Sequence, residues 1–164
     1  MTNRLIGPLL CSALFFLASL APTPALAAAT SVNCNPAPTK LRAIVGDDVI
    51  TFTSSTTHVN LAQTRINFTQ GGTGPSCVIV RFSAEAGAGP GPWLELRAVL
   101  DGVTVALPPA VRFGINEGSE VARSYDFIFP SVAPGMHTLQ MQFRSSNGTS
   151  VFISDRTTIV LHKP

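Results

Sequence analysis

The chain has 164 residues, of which 45% are hydrophobic and 12% charged. It is too apolar for a disordered polymer, and long enough for one core but not for several domains. Eleven basic residues against nine acidic ones leave a formal charge of +2 without a polybasic run, which excludes nucleic acid as a partner because phosphate neutralisation needs clustered Lys and Arg.

Met1 to Ala27 reads as a cleavable signal peptide. Arg4 supplies the positive start, Leu5 to Leu20 carries no charge, and Ala25-Leu26-Ala27 offers small residues to a signal peptidase. The apolar run is 16 residues long and interrupted by Pro8, short of the roughly 20 that a spanning helix needs. Neither Cys11 nor Cys34 sits in a lipidation arrangement, so no stable membrane insertion is expected after cleavage. The expected product is a single domain, residues 28–164, secreted or periplasmic, with ten basic and nine acidic side chains.

Cleavage also removes one of three cysteines. Cys34 and Cys77 remain, and an oxidising destination lets them form the one available intramolecular bridge. It would staple Ser31 to Thr39 onto a strand beginning near Cys77. Neither cysteine has a nearby His or second Cys that would suggest a metal or a reactive thiol.

Strand patterning dominates the rest of the chain. Leu41–Val45, Val49–Thr53, His58–Leu61 and Arg65–Thr69 are short β candidates. Val78, Val80, Phe82 and Ala84 alternate with Ile79, Arg81 and Ser83, as in a central strand. Glu85 to Pro92, with nothing apolar larger than Ala, reads as a flexible loop. Leu94 to Leu100 alternates next, and Asp101-Gly102 is a two-residue hairpin signal before Val103–Leu107. Ser124 to Phe129 follows, with Pro130 as its stop, and Pro134-Gly135 turns into the clean alternation of His137 to Arg144. Val151–Ser154 and Thr157–His162 close the chain as two further strands. Eight to ten strands at this spacing predict an all-β fold, an antiparallel β-sandwich of jelly-roll or immunoglobulin-like Greek-key type.

Chemistry-bearing residues are sparse. His58, His137 and His162 lie on different strands, so no metal site is expected. Pro134-Gly135-Met136-His137 resembles the second cupin motif, which would imply a metal-dependent enzyme, but the His-x-His pair of that family's first motif is missing. No Gly-x-Ser-x-Gly elbow occurs. Asp101 is accounted for by its hairpin, and Asp47-Asp48 by a turn. Gly71-Gly72-Thr73-Gly74 precedes a strand rather than the helix that a phosphate cradle requires. No catalytic residue and no cofactor are therefore assigned.

Three residues remain as candidate ligand contacts: Trp93 as a sugar-stacking platform, Arg97, and His137. Arg97, Arg81 and Gln140 are read as lining a polar face. The expected function is a non-catalytic surface binding or structural module whose partner is a protein or a carbohydrate. The spacing of Cys34 and Cys77 in an all-β domain of this length resembles that of chaperone–usher pilus subunits and related spore-coat-like secreted proteins. That resemblance implies a groove completed by a donated strand. The chain departs from it at Ile159-Val160-Leu161-His162-Lys163-Pro164, where pilins carry a Gly and a penultimate aromatic residue.

Overall fold

The computed structural model describes residues 31–34 and 37–164, with backbone alone for 115–119. The signal peptide expected at Met1–Ala27 lies outside the described residues. Val32–Pro164 forms one unit of nine strands: β1 (Lys40–Val45), β2 (Thr51–Thr53), β3 (Val59–Asn60), β4 (Ile66–Gln70), β5 (Ser76–Leu100), β6 (Thr104–Val105), β7 (Val111–Val132), β8 (Gly135–Ser145) and β9 (Val151–His162). All pairings are antiparallel, and no helix occurs among the described residues.

Two long strands each serve both layers of a sandwich. The first half of β5 pairs with β9 as far as Ala88 and with the second half of β7. Its second half, Leu94 to Leu100, pairs with β8, while Leu94 to Leu96 also meets the start of β7. One sheet therefore runs β1/β2, β9, β5, β7, and the other runs β3/β4, β8, β5, then β6 with β7. When the halves of β5 and β7 are counted separately, chain segments stand in the order 1-8-3-6 and 2-7-4-5. This is the jelly-roll arrangement, and it selects that topology over the immunoglobulin-like Greek key.

Period-two alternation explains the core. Val78, Val80, Phe82 and Ala84 from the first half of β5 face Leu96, Ala98, Phe113, Leu139, Met141 and Phe143 from the other layer, all buried. Phe82 and Phe113 bring their rings to 5.3 Å, within the range where aromatic pairs add to simple area burial. Cys34 and Cys77 are disulfide-bonded with Cα atoms 5.2 Å apart, joining the segment before β1 to the start of β5.

Three local expectations are corrected. Glu85 to Pro92 is extended strand within β5, with Ala86 and Ala88 fully buried. Its small residues are there for packing: a Cβ on Gly87 would stand 2.3 Å from Cζ of Phe152, whose ring lies across the strand. Pro130 does not stop β7, which continues to Val132. Ile128 turns its N–H and C=O outward to Leu107, so by alternation Pro130 lacks a donor only on the outer edge, where proline is tolerated. Finally, Val151–Ser154 and Thr157–His162 are one strand. A bulge at Asp155, which has φ 40°, lets Ser83 pair with Thr157 and Glu85 with Ser154. The extra residue switches the alternation and turns Arg156 inward.

Candidate functional site

The outer face of the second sheet collects most of the polar side chains that sequence had flagged. Alternation along β5 sends Trp93, Glu95, Arg97 and Val99 to this face, and β8 adds Thr138, Gln140, Gln142 and Arg144 in register with them. At one end, Arg144 grips Glu95 through Nε and Nη2 at 2.8 and 2.7 Å, and its Nη1 donates to the Thr56 carbonyl at 3.1 Å. Glu95 also accepts the indole N–H of Trp93 at 3.0 Å. Burial works against the Glu95 carboxylate, but Trp93 and Arg144 outweigh it and hold its pKa below the usual value. The Arg112 guanidinium lies 4.3 Å from the centre of the Trp93 ring, a cation–π contact that occupies one face of the indole.

His58 flanks this network. Burial first, and then the positive charges of Arg97 and Arg144, lower its pKa to about 4, against a smaller opposing pull from Glu95. The folded chain thus refuses a proton that the unfolded chain accepts below its ordinary value near 6.5. The stability this contributes is complete above about pH 6.5 and is lost as pH falls towards 4. Allowing for water screening at a half-exposed group, the loss is on the order of 2 kcal/mol. Denaturant midpoints between pH 7 and 4.5 should show this slope, and His58→Gln should flatten it; an equal slope in the variant would assign it to other groups.

Further along the face, hydrogen bonds tie successive strands together. Arg97 Nε donates to Gln142 at 2.9 Å, and Gln142 donates to Asn60 at 2.9 Å. Gln140 reaches the Leu61 carbonyl and the Thr64 hydroxyl, each at 2.8 Å. Beyond them lies an open depression of about 470 Å³, with Val99 in its lining beside Asn60, Arg65, Asp101, Thr138, Gln140 and Gln142. Arg65 is exposed and has no hydrogen-bond or ion-pair partner among the described residues.

His137 takes a different role. Its Nδ1 meets Asp101 Oδ2 at 2.7 Å and its Nε2 meets the Ala133 carbonyl at 2.8 Å. With both ring nitrogens engaged, it joins the Asp101-Gly102 hairpin to the start of β8. Asp101 also accepts the Thr138 N–H at 2.8 Å; this bond and His137 overcome burial and keep the carboxyl below its ordinary pKa. His137 and His162 both pack against Phe68, at 5.7 and 5.1 Å, while His58 lies beside Arg97 and Arg144. The three histidines do not converge, and no metal-ligating cluster occurs among the described residues.

Trp93 and Arg97 therefore share one face with Gln140, whereas Arg81 stands on the outer face of the other sheet. There it is held by Asp126 through two bonds of 2.8 and 2.9 Å. Sequence reading missed Asn60 and Arg65, whose neighbours in the depression are about forty to eighty residues distant in sequence.

No protein-family model matches the chain, and no curated protein sequence matches it. Among solved structures, it is similar to the infectious bursal disease virus VP2 subviral particle, at 15% identity and a TM-score of 0.48. The likeness covers 88% of this chain and 37% of the VP2 chain, so the present chain spans little more than a third of that protein.

Proposed function

We propose that this protein is an exported, non-catalytic binding module that holds a carbohydrate against the outer face of its second sheet. The observation that carries this reading is the depression beside Arg65. Val99 is buried beneath its floor, so the side chains presented to a ligand are the polar ones. Arg65 and the amide of Asn60 add donors that can bridge neighbouring hydroxyls. The carboxylates nearest to it, Asp101 and Glu95, are taken up by structural partners, which favours binding over acid–base chemistry. The Cys34–Cys77 bridge fits an oxidising destination. No described helix is long and apolar enough to cross a membrane.

Both sheets have a complete set of strands among the described residues, which favours a module acting through its surface over a subunit awaiting a donated strand. A glycan array followed by calorimetry tests the proposal. Arg65→Ala should weaken the best ligand by about tenfold, the scale of one charge-assisted hydrogen bond, while leaving thermal stability unchanged. A silent array, or affinity indifferent to Arg65, would overturn it. Trp93→Ala is expected to affect stability more than affinity, because the indole is already committed to Glu95 and Arg112.

A further inference from the structure

We propose that β1 is a self-pairing edge and that two copies of this chain join through it, antiparallel, into one continuous sheet. Among the described residues, β1 pairs only with β9, so its other side presents free backbone groups. Which groups are free follows from the register. Gly46 donates to Arg156 at 2.8 Å, and Gly46 continues the β1–β9 register in which Val45 faces Thr157. Even-numbered residues of β1 therefore turn their N–H and C=O towards β9, and Leu41, Ala43 and Val45 turn theirs to the open edge.

The same three residues occupy the sheet's outer face. Leu41 stands in a row with Leu161, Ile79 and Ile128, an aliphatic band across all four strands. Leu41 is 56% exposed and Val45 74%. Five of the ten large exposed hydrophobic residues, Leu41, Val45, Val49, Ile50 and Phe52, fall on this edge and the connection within it. That concentration distinguishes the edge from ordinary scattered surface apolarity.

Charge selects both the partner and the direction. The strand is basic where it starts, at Lys40 and Arg42, and acidic just past its end, at Asp47 and Asp48, all four exposed. Cationic edge residues normally discourage pairing. In a parallel pair they would face each other, whereas an antiparallel copy brings each basic end to the other's acidic end. A register centred on Ala43 satisfies every condition. Ala43 meets Ala43 of the second copy, Leu41 meets its Val45, and all three residues exchange N–H and C=O with the second copy. Lys40 then lies opposite its Gly46, at the end where its Asp47 and Asp48 follow. The two four-stranded sheets become one, and the aliphatic band continues across the two-fold axis.

Sedimentation of the purified whole chain, with its Cys34–Cys77 bridge intact, tests this. Ala43→Pro removes an N–H that β9 does not use, and Leu41→Lys with Val45→Lys places four lysines at the junction without touching the core. Wild type should dimerise, and each variant should raise the dissociation constant by about a hundredfold with an unchanged circular dichroism spectrum and melting temperature. A wild-type monomer at every concentration reached would overturn the proposal. A dimer that survives the lysine pair would overturn it too, whether or not Ala43→Pro folds, because the copies would then meet elsewhere. A different protein that co-purifies with a monomeric wild type and is released by the lysines would assign the edge to that protein instead.

Discussion

Arg156→Ala is expected to destabilise the fold by about 3–5 kcal/mol, the range seen when one member of a buried charged network is removed. Since a domain of this kind holds about 5–15 kcal/mol in total, the variant should be marginal at 37 °C. Arg156 is 1% exposed. Its Nη1 donates to Thr51 Oγ1 at 2.7 Å, and its Nη2 donates to the Val49 carbonyl at 3.0 Å and Gln63 Oε1 at 3.2 Å. Asp47 lies 3.9 Å away. Burial pulls the guanidinium below its ordinary pKa, against Asp47 and Asp155, but arginine remains charged. One planar group thus fastens the β1–β2 connection and Gln63 to the bulged middle of β9, and no neutral or single-point donor can replace it. Arg156→Met should cost less, because it refills the volume and leaves the freed carbonyls near water.

The same contact predicts a coupling. A Cβ on Gly46 would stand 2.8 Å from Arg156 Cγ, the fixed middle of that side chain. Gly46→Ala should therefore destabilise wild type by about 1–3 kcal/mol and cost clearly less in the Arg156→Ala background. Urea midpoints of the four proteins complete the double-mutant cycle. A loss under about 1 kcal/mol for Arg156→Ala, or strict additivity with Gly46→Ala, would remove Arg156 from this role.

Arg156 also illustrates how much of the molecule was legible in the sequence. Alternation located most of the long strands, because burial of one face imposes a period of two whatever lies opposite, but it missed the first half of β7, Val111 to Arg123. Val151–Ser154 and Thr157–His162 read as two strands, because the residues between them suit a loop as well as a bulge. Only pairing with Ser83 and Glu85 distinguishes them. Glu85 to Pro92 misled for a related reason: small residues signal a loop when considered alone, yet Gly87 is small because Phe152 covers it. The polar face was half legible. Trp93, Arg97 and Gln140 follow from strand parity, whereas Arg65 and Asn60 join them through the placement of β3 and β4 beside β8, and no local pattern encodes that placement. His137 was visible as a residue at the start of a strand, but its partner Asp101 belongs to a hairpin 36 residues earlier.

Opening the disulfide is expected to lower stability by about 4 kcal/mol, since the bridge closes a 43-residue separation and restricts the unfolded chain accordingly. For a domain of this size, that corresponds to a melting temperature about 10–15 °C lower. The native sandwich should nevertheless persist at 25 °C. Cys34 precedes the first strand, the core residues along β5, β7, β8 and β9 do not depend on it, and β1 keeps its pairing with β9. The loss should be uneven. β1 pairs with one neighbouring strand only, and its approach from Cys34 is anchored at Cys77, which is 1% exposed. In the double variant Cys34→Ala with Cys77→Ala, the amides of Arg42 and Ile44, which face β9, should exchange faster than those of Val80 and Phe82 at the centre of the sheet. Thermal melts with and without a reductant provide the control: wild type should respond to the reductant and the double variant should not. A shift under about 3 °C in wild type, or uniform loss of protection across β1 and β5, would show that the bridge does not act by tethering the edge strand.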